Sequence, residues 1–189
     1  MIIKLFIDNN AWDVFFDAKI DLINELPADE FTLQITREAE FEIPLMPIEK
    51  RQYVEAVINS GNIKTDTYFG WYDETLPAEE QRVGGWGELN DPDAGGRFIE
   101  IAESELIQSE SKIIGPGKRP TRLYNNEADV SLAARSLHSV VLTCDGKKAL
   151  KRARDVHGGI VIDLKKYKKS TNLADFIKSE LERFHIKND

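Results

Sequence analysis

Short apolar runs alternate along this chain with stretches whose apolar residues recur at helical spacing. IIKLFI, residues 2–7, reads as a short, largely buried strand. Trp12, Phe15, Phe16, Ile20, Leu22, Ile23 and Leu26 then follow a helical period, and Pro27 ends that helix. FTLQIT, residues 31–36, is rich in β-favouring residues and predicts a second strand. A short helical piece over 37–43 runs into Pro44 and Pro47. PIEKRQYVEAVINSG predicts a helix with Pro47 near its start and Gly61 beyond its end.

Regular patterning resumes after residue 120. NNEADVSLAARSLH reads as a helix, SVVLT as a strand, CDGKKALKRARDV as a basic helix beginning at Asp145, and GGIVIDL as a strand. LADFIKSELERF closes the chain as an amphipathic helix. Apolar strands alternating with helices predict an α/β fold: a mostly parallel sheet covered on both faces, in three α/β/α layers.

Residues 61–120 have a different texture. They hold nine of the twelve glycines, together with Trp71, Trp86 and the run GELNDPDAGG. They read as one long Gly/Trp-rich insertion within a single domain spanning 1–189, not as a set of regular elements. RFIEIAESELIQ within it fits a helix or a strand equally. The acids at 91 and 93 fail the last position of a calcium loop. The two tryptophans either line a cleft or give the insertion a small core, the second being the simpler reading.

Composition narrows the classes. At 189 residues and 41% hydrophobic content the chain can bury a real core. No apolar run approaches the roughly 18 residues of a membrane span, and MIIKLFID meets its first acid too early for a signal peptide. One cysteine, Cys144, fits a reducing cytoplasm, and His138, His157 and His185 stand apart from any zinc-ligand spacing. The net charge of −8 argues against coating nucleic acid by charge alone. Yet residues 144–169 carry nine Lys/Arg against three acids, a local +6 that leaves −14 elsewhere. Such a run is either a solvated face or a weak preference for an anionic partner.

Four acids stand out. In parallel α/β sheets, ligands bind beyond the carboxyl ends of strands where strand order reverses. Asp8 ends KLFI, and Asp145 lies two residues after VVLT. Each also lies where a helix begins, so helix capping is the competing role. Asp129 in NNEADVSLAA follows Asn126 at capping-box spacing, but Leu132 and Ala133 place it near the sheet-facing side. In TREAEFEI, Glu38 and Glu42 share one helical face, and either of them or Glu40 could point inward.

IDNNAW resembles the opening of the PIN domain family, whose first strand ends in an Asp. ITREAEFEI resembles that family's second strand and Glu-bearing helix. NEADVSLAARSLHSVVLTCDGKKAL resembles its later helix with an Asp, then a strand with a Thr-x-Asp end. The resemblance covers roughly residues 1–60 and 121–165. Asn9 stands where Thr is more usual, Asn10 keeps the usual Asn, Pro44 interrupts the helix after Glu42, and the insertion is larger than in compact members.

The resemblance implies metal-dependent RNA hydrolysis, as in toxins of toxin–antitoxin pairs or RNA-processing nucleases, with RNA as substrate and an antitoxin or a second copy as possible partner. Chemistry agrees with it. Crowded carboxylates at Asp8, Glu42, Asp129 and Asp145 raise one another's pKa unless hard cations such as Mg²⁺ or Mn²⁺ offset them. The expected metal ligands are Asp8, Asp129 and Asp145. Asn10, Thr143, Lys147 and Lys148 are the expected contacts to substrate or its phosphates. A dehalogenase-like phosphatase would need an acid where Asn10 stands, and a receiver domain would need paired acids after the first strand. The remaining alternative is a PIN-like protein without turnover that binds RNA or a protein.

Overall fold

The computed structural model describes residues 2–86 and 95–188. The acids at 91 and 93 therefore lie outside the described residues. Strand β1 (Ile3–Ile7) shows why the sheet is central: Leu5, Phe6 and Ile7 are all fully buried. Leu5 and Ile7 face one apolar cluster and Phe6 faces another, so both sides of the strand are covered.

Five parallel strands make the main sheet. They are β1, β2 (Phe31–Thr36), β3 (Lys64–Asp66), β8 (Val140–Thr143) and β9 (Ile160–Asp163), in the order β3-β2-β1-β8-β9. Leu5 pairs with Leu33 on one side and Val140 on the other. Strand order reverses between β1 and β8, which opens a crevice beyond their carboxyl ends.

Helices cover both faces, giving the expected layers. On one face pack α1 (Ala11–Ala18), α4 (Ile48–Ser60) and α8 (Leu173–Asn188), through Trp12, Phe15, Val54, Leu173 and Ile177. On the other pack α5 (Ile101–Glu110), α6 (Glu127–Arg135) and α7 (Lys148–His157), through Leu106, Val130, Ala133, Leu150 and Ala153. Two short helices, α2 (Leu22–Glu25) and α3 (Arg37–Glu42), sit beside the strands they flank. Among the described residues no helix is long and apolar enough to cross a membrane.

Three sequence expectations change. The single helix through Leu26 is two: Lys19 takes a left-handed conformation (φ 54°) and Asp21 caps α2 by accepting from the Asn24 N–H at 3.2 Å. The buried apolar spacing survives the break. Second, the glycine-rich stretch contributes regular structure. Lys64–Asp66 is an edge strand of the main sheet, RFIEIAESELIQ resolves as α5, and two small ribbons form from β4 (Tyr68–Phe69) with β5 (Val83–Gly84) and β6 (Gly115–Lys118) with β7 (Tyr124–Asn125). Third, the tryptophans build no buried core: Trp71 is 87% exposed, and Trp86, 81% exposed, meets Phe69 edge-on at 4.6 Å.

What ties this stretch down is charge. Asp66 accepts from Arg135 Nε at 2.7 Å and from Arg97 Nε at 3.0 Å, and Lys4 lies 3.7 Å away. Arg97 reaches on to the buried Glu103, which also accepts from the Tyr68 hydroxyl at 3.0 Å. Arg135 is itself buried, and its guanidinium stacks 4.3 Å from the Tyr68 ring centre. Breaking a buried pair from one side strands the other charge. Arg135→Met is expected to destabilise the fold by about 3 kcal/mol in urea unfolding, near the lower end for buried pairs because Arg97 and Lys4 remain beside Asp66. A loss within experimental error of zero would mean that the network does not hold the stretch.

Candidate active site

Asp8 sits at the carboxyl end of β1, where its N–H donates to the Leu142 carbonyl of the neighbouring β8 at 3.0 Å. Its side chain caps nothing: α1 starts after Asn10, and no side chain bonds its N-terminus. Instead Asp8 Oδ2 accepts from the Thr143 hydroxyl at 2.6 Å and from Asn10 Nδ2 at 2.7 Å. Asn10 Oδ1 in turn accepts from the Cys144 N–H at 2.6 Å. The Thr143 hydroxyl also lies 3.2 Å from Asn10 Oδ1, but it has one proton, and the closer, charged acceptor takes it.

Glu42 is the acid that α3 delivers to this place. The helix ends on Glu42, and Pro44 falls in the 3-10 turn Ile43–Leu45 after it, so the break comes too late to move Glu42 away. Asn9 Nδ2 holds Glu42 Oε2 at 2.8 Å and the Ala39 carbonyl at 3.0 Å. Glu38 is more buried but turns elsewhere, accepting from Ser131 at 2.8 Å. Glu40 is bound by Arg37 and Thr65.

Asp129 lies in the first turn of α6. The capping box expected from Asn126 does not form: Asn126 is left-handed (φ 62°) and its side chain makes no cap bond. Its amide donates to the Ile113 carbonyl and its Oδ1 accepts from Lys148 Nζ at 2.7 Å. Glu127 does the local bonding, accepting from the Tyr124 N–H at 2.7 Å and Arg82 Nε at 2.9 Å. Asp129 is thereby left to the cleft.

Asp145 does not begin a helix either. α7 starts at Lys148, and residues 144–147 form a turn in which the Asp145 carbonyl accepts from the Lys147 N–H at 2.8 Å. Asp145's own N–H donates to the Thr143 hydroxyl oxygen at 2.9 Å. Its carboxylate is half exposed, 3.7 Å from the exposed Lys147 ammonium. Asn10 and Thr143, expected as substrate contacts, spend their polar atoms on Asp8 and its turn.

The carboxylates act on one another. Burial pushes Asp8 up to about 6; the Thr143 bond opposes this, the charges of Asp129 and Glu42 add to it, and the Asn9 N–H opposes again. Asp129 is held above its ordinary value, chiefly by burial. Lys148 counters that shift, Asp145 reinforces it, Arg119 counters and Glu42 reinforces. So all four expected acids fall within electrostatic reach of a common cleft. Arg119, which sequence reasoning passed over, comes from the loop between β6 and β7. Its Nη1 lies 4.0 Å from Glu42 Oε1, and Asn125 accepts from its Nε at 2.9 Å. Asn9 was visible only as a replacement for Thr, with no local pattern to mark it as the holder of Glu42.

The donor chemistry suits a hard divalent cation: oxygen ligands, excess negative charge, and a buried Asn9 Oδ1 that has no hydrogen-bond donor among the described residues. Among the described residues, no three acidic, His or Cys side chains stand close enough together to enclose an ion. Mg²⁺ typically takes one or two carboxylates and keeps several waters, which such an open arrangement accommodates.

Asp8 gives a pH signature. In the unfolded chain an Asp ionises near ~3.9, whereas in the fold Asp8 does so at about 6. Its ionised form therefore costs stability, absent below about pH 4, growing as pH rises between those values, and complete above about 6. In chelator, Asp8→Asn is expected to stabilise the fold by ~3 kcal/mol near pH 7.5 and by little near pH 4, read by urea unfolding at both. An equal effect at the two pH values would contradict this account of Asp8.

No protein-family profile, curated protein or solved structure matches the chain, so the capacity of this cleft follows from its own donors and charges.

Proposed function

We propose that the chain is a PIN-like ribonuclease that hydrolyses RNA phosphodiester bonds with Mg²⁺ or Mn²⁺, its acidic centre formed by Asp8, Glu42, Asp129 and Asp145. The observation that carries the proposal is the gathering of under-neutralised carboxylates where strand order reverses, with Asp8 raised to about 6. Perturbed acids in a crevice are a signature of chemistry more than of architecture.

Asp8, Asp129 and Asp145 would hold the ion. When bound, it supplies positive charge at the phosphate and lowers the pKa of water. Thr143 and Asn10 both donate to Asp8 Oδ2, which keeps that carboxylate from swinging away. Glu42, steadied by Asn9 at Oε2, can accept a proton at Oε1. Arg119 and Lys148 act on Asp129, Lys147 lies 3.7 Å from Asp145, and these cations would meet a substrate phosphate. The open spacing of the donors favours one second reading, a protein that binds RNA without cutting it.

Wild-type protein is expected to cleave RNA with Mn²⁺ or Mg²⁺, and Asp8→Asn and Asp145→Asn each to lower the rate by about 100-fold or more. Cleavage unaffected by either substitution would sink the nuclease proposal. RNA binding without cleavage in wild type would favour the second reading. Lys147→Ala, which removes the exposed ammonium 3.7 Å from Asp145, is expected to reduce the salt slope of RNA binding by about 0.7.

A further inference from the structure

Because β1, β8 and β9 run parallel, the segments that follow them leave the sheet at the same edge. Asp8 follows β1 and Asp145 follows β8. The segment after β9 therefore stands beside the acidic cleft, two strands from Asp8. It reads LKKYKK, and its shape is built. Asp163 Oδ1 accepts from the Lys165 N–H at 2.9 Å, starting a 3-10 turn over Leu164–Lys166. Leu164 is buried, and the half-buried Tyr167 ring packs 5.5 Å from Phe176 of α8.

Anchoring the two apolar side chains leaves Lys165, Lys166, Lys168 and Lys169 exposed together. Lys166 has Glu180 at 3.4 Å. Lys165, Lys168 and Lys169 have no acidic partner among the described residues, and neither has the exposed Lys151 on α7. The strand register sets the proximity: Thr143, which bonds Asp8, pairs across the sheet with Asp163, the residue on which the lysine segment is built.

We propose that this lysine rim docks the phosphates of a single-stranded RNA, holding the strand on the β9 side of the acidic cleft. The proposal rests on the ribonuclease reading for its choice of polyanion. A strand crossing the cleft meets repulsion from four carboxylates, so its attraction must come from outside them. The rim supplies that attraction as point charges, and a polymer that touches several of them gains by releasing its counterions. Tyr167, the one aromatic residue in the segment, packs against α8, so the rim holds phosphates and does not stack bases. The docking is thus tolerant of sequence.

The test is binding of a labelled single-stranded oligonucleotide of about twenty nucleotides, in chelator, across a series of salt concentrations. The triple variant Lys165→Ala, Lys168→Ala, Lys169→Ala is expected to bind at least about tenfold more weakly at low salt, with the log–log salt slope reduced by about 2. The triple Lys→Arg variant is expected to keep wild-type affinity. Lys178 pairs with Glu30, just before β2 and so at the opposite edge of the sheet, and Lys178→Ala is expected to change nothing. Unchanged affinity and slope in the triple alanine variant would overturn the rim, as would an equal loss in Lys178→Ala. So would loss of binding only to vesicles containing phosphatidylserine, which would assign the charge to a membrane. No turnover is needed for the measurement. A rim-dependent affinity in a protein that never cleaves supports the rim and removes the nuclease reading; cleavage by a wild type whose affinity ignores the rim does the reverse.

Discussion

The Thr143–Asp8 hydrogen bond exists because β1 and β8, distant in sequence, are neighbours in the sheet. That adjacency marks the point where strand order reverses, and it puts the ends of two parallel strands side by side with nothing crossing between them. The rest of the cleft is arranged around it. Asn10 closes a bridge from Asp8 to the Cys144 N–H, so the loops after β1 and β8 are bonded to each other as well as the strands. α3 brings Glu42 from the next strand over, and α6, which leads into β8, brings Asp129.

Two buried acids in this protein are treated in opposite ways. Asp66 has Arg135, Arg97 and Lys4 around it. Asp8, equally buried, has neutral donors (Thr143, Asn10 and the Asn9 N–H) and further carboxylates, while Lys148 and Arg119 act on Asp129 instead. The fold therefore has the means to neutralise a buried acid and does not apply them at Asp8. A carboxylate left in that condition is expensive, and such cost is the usual mark of a site kept for binding or chemistry. Glu38, also buried, is held differently again: it accepts from Ser131, whose hydroxyl oxygen in turn accepts from Arg135.

Local pattern was enough to read four of the five strands of the main sheet. IIKLFI, FTLQIT and VVLT announce themselves as apolar runs, and the acids at their ends were visible by position alone. Capping was harder, because Asp at a strand–helix junction satisfies the same local pattern whether it bonds the helix or faces a cleft. Only the partner from another strand, Thr143, decides between them for Asp8. The choice among Glu38, Glu40 and Glu42 likewise depends on groups far along the chain: Ser131, Thr65 and Asn9. Arg119 had no readable signal, since its place over Glu42 is set by a loop whose course depends on tertiary contacts. The glycine-rich stretch misled because three residues suffice for an edge strand, too few to show a period.

The Asp66 network also bears on modularity. Arg135 lies at the end of the same helix that carries Asp129, and Arg97 belongs to the glycine-rich stretch; one carboxylate grips both. That stretch is consequently no detachable ornament on an otherwise self-sufficient sheet. Trimming it would remove an edge strand, the cation Arg97 and the loop bearing Arg119 at once, and would unseat one end of α6. The exposed Trp71 stands clear of that charged root, whose anchoring depends on Asp66, Arg97 and Arg135.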